Sequence, residues 1–190
     1  MTPIVVVHDV NDSGVAWRDA LRDWPDDAFT PDLVVEGACG DRTDVVWLLL
    51  EQMESVRERS PIIVGCGDHS LAAETFALAG WVGGVVLVDG LGGPWTTPAQ
   101  QVDAQKDWLR GAFVDRSSVT YPRVWIEPFT RSLRGNVHCP VLVIETPSSI
   151  TPAREVEVRA QHFAGGATVV RLGAPDPSLV VPAIRAWVGS

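Results

Sequence analysis

Ile62-Ile63-Val64-Gly65-Cys66-Gly67-Asp68-His69-Ser70 leads into Leu71-Ala72-Ala73-Glu74-Thr75-Phe76-Ala77-Leu78-Ala79. A run of β-branched residues gives way to glycine-punctuated residues and then to a short, alanine-rich apolar stretch. That order predicts a strand, a tight turn and a helix packed closely on a sheet. The strand is apolar throughout, as a strand buried on both faces of a parallel sheet must be.

The same alternation extends in both directions. Apolar runs recur at Ile4–His8, Leu33–Glu36, Val85–Asp89, Val141–Glu145 and Thr168–Leu172. Between them Val45, Leu49, Met53 and Val56 recur at helical spacing, Val102, Leu109, Ala112 and Phe113 mark a further helix, and a last helix is predicted from about Ser178 to Val188. Strands alternating with helices predict an α/β fold with right-handed crossovers. Ligands in such folds bind beyond the carboxyl ends of the strands. The residues there are His8, Asp9 and Val10, then Gly65 to Ser70, Asp89-Gly90, Thr146 to Ser149, and Gly173 to Pro177.

The chain of 190 residues suffices for one domain, residues 1–190, and 46% of it is hydrophobic. Its formal net charge of −9 disfavours nucleic acid as a partner. No apolar run reaches the roughly 20 residues of a membrane helix. The start, Met1-Thr2-Pro3-Ile4, has neither a basic region nor a long apolar one, so a cytoplasmic protein is expected. The three cysteines, Cys39, Cys66 and Cys139, form no C-x-x-C pair, so neither a disulfide framework nor a structural metal site is expected. No cofactor motif stands out.

Val7-His8-Asp9-Val10-Asn11-Asp12-Ser13-Gly14-Val15-Ala16-Trp17 resembles the end of the third strand of α/β-hydrolases and the helix after it. Thr30-Pro31-Asp32-Leu33 resembles that family's next strand, Val85–Asp89 its sixth and Pro140–Ile144 its seventh. Ile63-Val64-Gly65-Cys66-Gly67-Asp68 falls at the nucleophile elbow, and Gly173-Ala174-Pro175-Asp176 at the loop of the catalytic histidine. The resemblance spans nearly the whole chain. It implies a three-layer sandwich on a mostly parallel sheet of about six strands, without the N-terminal hairpin, and a lid segment over 94–136. With strand Leu33–Glu36 at the sheet edge, a homodimer or a cover formed by residues 37–44 is expected.

The alignment places Gly67 at the nucleophile, Ser149 at the acid and Asp176 at the histidine. A glycine cannot attack a carbonyl, a hydroxyl cannot steady an imidazolium, and an aspartate is a poor base at neutral pH. A degenerate triad and a non-hydrolytic protein are therefore expected. The alternatives are an atypical hydrolase using Asp68 or Cys66, with His69 adjacent, or a structural subunit. Asp68 reads equally as a helix cap and Cys66 as a packed thiol. Asp9, Asp68, Asp89 and Asp176 each follow a different strand, and Trp95, Trp108 and Trp125 lie in the lid segment. With His8, Val10 and Ser148 they outline a pocket for a small molecule, an amine or other cation by preference. Taken singly, each aspartate reads as a turn or cap residue.

Overall fold

The computed structural model describes residues 2–8, 14–30, 51–67, 70–91, 134–149, 151 and 153–189. Six strands form one sheet: β1 (Ile4–Val7), β2 (Ala28–Phe29), β3 (Ile62–Cys66), β4 (Gly84–Val88), β5 (Val141–Glu145) and β6 (Ala167–Arg171). Their order is β2-β1-β3-β4-β5-β6, and every pairing is parallel. The helices are α1 (Gly14–Ala20), α2 (residues 51–56), α3 (Ser70–Leu78), α4 (Ala153–Ala160) and α5 (Pro177–Val188), with a 3-10 turn at Arg57–Arg59.

Strand alternation sorts the core into two layers. Val5, Val7, Ile63, Val85, Leu87, Val141 and Val143 face one side, where Met53 and Val56 of α2, Ala73, Phe76 and Ala77 of α3, and Val156 and Ala160 of α4 cover them. Ile4, Val6, Ile62, Val64, Val86, Val88, Leu142 and Ile144 face the other, under Trp17 of α1, Leu21, Trp24, and Val180, Val181 and Ile184 of α5. Every residue of β1, β4 and β5 is buried, which is why these strands read as apolar runs, broken only by Glu145 at the end of β5.

The edge differs from the expectation. The strand paired to β1 is Ala28–Phe29, two residues long, whereas the run Leu33–Glu36 lies outside the described residues, as do residues 37–44. Helix α4 was not legible as a helix. Its sequence Ala-Arg-Glu-Val-Glu-Val-Arg-Ala alternates valine with charge, yet Val156, Arg159 and Ala160 form a buried helical face. Among the described residues no helix is long and apolar enough to cross a membrane.

Candidate active site

The carboxyl ends of β3, β4, β5 and β6 form a row. Register aligns Cys66 with Val88, Val88 with Ile144, and Glu145 with Arg171. The next residues on β3 and β4 are Gly67 and Asp89, so Gly67, Asp89, Glu145 and Arg171 follow one another across the sheet.

Gly67 has φ +53°, the left-handed region open to glycine, and leads from β3 towards α3. Strand β3, a left-handed residue and helix α3 thus follow one another at the position that the family resemblance sets at the elbow. Behind the tip, Ser70 is buried and its hydroxyl donates to the Gly65 carbonyl at 2.9 Å. A Cβ built on Gly90 would lie 1.5 Å from Ser70 Oγ, so only glycine fits beside the elbow there. Cys66 packs against the α1/α5 layer at the end of β3. Asp68 and His69 lie outside the described residues.

Asp89 also has positive φ, +53°, which ends β4 one residue before the sequence run ends. Its carboxylate accepts the Thr146 amide at 2.7 Å and the Thr146 hydroxyl at 2.6 Å. The Thr146 hydroxyl oxygen in turn accepts the Ser148 amide at 3.1 Å, and the Ser149 amide donates to the Thr146 carbonyl at 3.0 Å. Ser149, the position assigned to the acid, accepts the Thr151 amide at 3.2 Å. A second carboxyl group beside Thr146 is Glu145, which the sequence reading passed over as the end of an apolar strand. Glu145 is buried. Burial pushes its carboxyl up to about 7, the Asp89 charge adds to the rise, and the Ser149 hydroxyl, Arg171 and Arg159 oppose it.

Asp176 caps α5. It is exposed, and its carboxylate accepts the Ser178 amide at 2.8 Å. Hydrogen bonding to Ser178 holds it below the usual aspartate range. His8 is buried beyond β1. Asp9, Val10, Trp95, Trp108 and Trp125 lie outside the described residues, so of the four aspartates at the strand ends two are placed. Asp89 ties two strand ends together and Asp176 caps a helix. Among the described residues no three His, Cys, Asp or Glu side chains converge on a metal position.

A buried ion pair supports the helix of the elbow. Arg134 Nε and Nη2 donate to Glu74 of α3 at 3.1 and 2.8 Å, and Nη2 also reaches the Leu91 carbonyl at 3.3 Å. Arg159 of α4 donates to the same carbonyl at 3.3 Å.

No protein-family model matches the sequence, and no curated protein does. Solved structures match over nearly the full chain. A structure from the work on the metagenome-derived lipolytic enzymes LipS and LipT gives a TM-score of 0.69 at 13% identity, covering 99% of this chain and 93% of that one. The esterase RhEst1 from Rhodococcus sp. ECU1013 gives 0.63 at 18% identity, covering 100% and 90%. The enol-lactonase from Burkholderia xenovorans LB400 gives 0.62 at 15% identity, covering 100% and 92%. The chain has an α/β-hydrolase-like fold.

Proposed function

We propose that this protein is a non-hydrolytic member of the α/β-hydrolase fold that binds a small cationic molecule at the carboxyl end of its sheet, in the cytoplasm. The observation that carries the reading is Gly67 at the tip of the elbow turn, at φ +53°. Acyl transfer on this fold needs a nucleophile at that point, a base beside it and donors for the oxyanion. Gly67 brings no nucleophile, and Asp176, at the histidine position, is occupied as an exposed helix cap.

The acidic character of the strand ends supports the choice of ligand. Asp89 and Glu145 stand on neighbouring strands, and acidic groups at the strand ends favour a cationic ligand over an anionic one. The test is a pair of matched probes. Benzylamine is expected to raise the denaturation midpoint and uncharged benzyl alcohol to leave it unchanged. Equal effects of the two remove the cationic-ligand reading. Ester turnover abolished by Asp68→Ala or Cys66→Ala replaces the whole proposal with an atypical hydrolase.

A further inference from the structure

Glu145 and Asp89 make an unequal pair. Asp89 is clamped, since both of its carboxylate oxygens are held by Thr146, the residue directly after Glu145. It cannot swing away from its neighbour without releasing the chain that carries Glu145. Glu145 is 5% exposed, and its Oε1 is buried with no hydrogen-bond partner among the described residues.

The groups around it leave an ionised Glu145 poorly served. By strand alternation it follows Val141 and Val143 onto the α4 side of the sheet. From α4 comes Arg159, whose Nη2 is engaged by Glu155 at 2.6 Å and whose Nη1 reaches the Leu91 carbonyl. From β6 comes Arg171, already paired with Glu157. From the turn after β5 comes the Ser149 hydroxyl, and from β4 the Asp89 carboxylate. A buried carboxylate oxygen without a donor is costly, whereas a neutral carboxylic acid in the same place is tolerated.

We propose that Glu145 is a proton switch for the turn after β5. Protonated, it sits uncharged against Asp89. Ionised, it repels the carboxylate that holds Thr146 and draws on the Ser149 hydroxyl, so the hydrogen bonds of residues 146–149 respond to its charge. The switch works near neutrality.

The sign follows from linkage. The folded chain holds the Glu145 proton more tightly than the unfolded chain. The stabilisation is fully present below the unfolded-state value of about 4.3, and it is lost as pH rises through about 7. The experiment is the pH dependence of denaturant unfolding for the wild type and Glu145→Gln, with infrared detection of the protonated carboxyl. The wild-type unfolding constant is expected to rise on the order of 50- to 100-fold between about pH 5 and 8 relative to Glu145→Gln. A protonated-carboxyl band should persist to neutral pH in the wild type and be missing from the variant. Asp89→Asn should lower the pH at which that band disappears and Ser149→Ala should raise it, which keeps the test open if Glu145→Gln does not fold. Parallel stability curves, a band lost near the ordinary carboxyl range, or a band unmoved in both Asp89→Asn and Ser149→Ala overturns the proposal.

Discussion

Asp89 binds Thr146 through both carboxylate oxygens, taking the amide at 2.7 Å and the hydroxyl at 2.6 Å, and it does so from a backbone at φ +53°. One residue thus fastens the end of β4 to the end of β5 while occupying a conformation that suits glycine better than any residue with a Cβ.

Two substitutions at Asp89 separate the clamp from the strain. Asp89→Ala removes both hydrogen bonds, leaves the Thr146 amide without its acceptor and keeps a Cβ at positive φ. A loss of about 2–3 kcal/mol is expected. Asp89→Gly removes the same bonds but relaxes the backbone, so its loss should be smaller by about 1 kcal/mol. Urea denaturation measures both. Equal losses would show that the positive φ carries no strain.

The Glu74–Arg134 pair gives a second contrast. Both side chains are nearly fully buried, and the contact is bidentate. Glu74→Ala strands the Arg134 charge in the interior, with the Leu91 carbonyl and the Phe163 ring as its remaining partners. A loss of about 3–5 kcal/mol is expected. Glu74→Leu combined with Arg134→Met removes both charges and should cost clearly less than Glu74→Ala alone. A double variant as unstable as the single one would show that the pair contributes through packing and not through charge.

These contacts mark where reading by sequence stops. The strands were legible because burial on both faces forces an unbroken run such as Val141-Leu142-Val143-Ile144. The strand, turn and helix around Gly65 and Gly67 were legible from local residue types, and their reading as an elbow came from the family resemblance. For Asp176 the plain reading of each aspartate as a turn or cap residue is the one the structure shows, since it caps α5. Glu145 was not legible as a site residue, because nothing local marks it. Its character comes from Asp89, 56 residues earlier in the sequence, and from the helix that buries it. Arg134, Arg159 and the Leu91 carbonyl likewise meet only through tertiary packing. The edge strand Ala28–Phe29 is too short to carry a periodic pattern.

Gly90 tests the tightness of the elbow. A methyl group there would meet Ser70 Oγ at 1.5 Å, Ser70 Cβ at 2.2 Å and the Gly67 carbonyl at 3.0 Å. Gly90→Ala is therefore expected to destabilise by about 3 kcal/mol or more, because the obstacles include a Cβ and the backbone of the turn. Ser70→Ala alone should cost about 1 kcal/mol for the lost bond to the Gly65 carbonyl. Since Ser70 Cβ is itself in the way, Ser70→Ala should not rescue Gly90→Ala, whereas Ser70→Gly should recover part of the loss. Full recovery by Ser70→Ala would mean that the hydroxyl is the sole obstacle and that the turn can shift.

Hydrolysis is the last property to test, and Gly67 decides its design. Wild-type protein is expected to leave p-nitrophenyl acetate and butyrate at the uncatalysed rate. The obvious repair, Gly67→Ser, should not change this, for two reasons that act at different levels. On the backbone, a serine must adopt the φ of +53° that glycine accepts freely, at a cost of roughly 1–2 kcal/mol. In the chemistry, a serine hydroxyl is a weak nucleophile until a base takes its proton, and Asp176, which the family resemblance aligns with the histidine, is exposed and engaged with the Ser178 amide. Glu145 does not substitute for that base. Below about neutral pH it is protonated, and it lies on the α4 side of the sheet among Asp89, Ser149 and Arg159. Steady-state assays with and without a pre-steady-state burst check both steps. A stoichiometric burst from Gly67→Ser without turnover would show that the elbow still presents a nucleophile correctly and that only the base is missing. Turnover by the wild type would show instead that the chemistry rests on another residue, and loss of that turnover in Asp68→Ala or Cys66→Ala would say which.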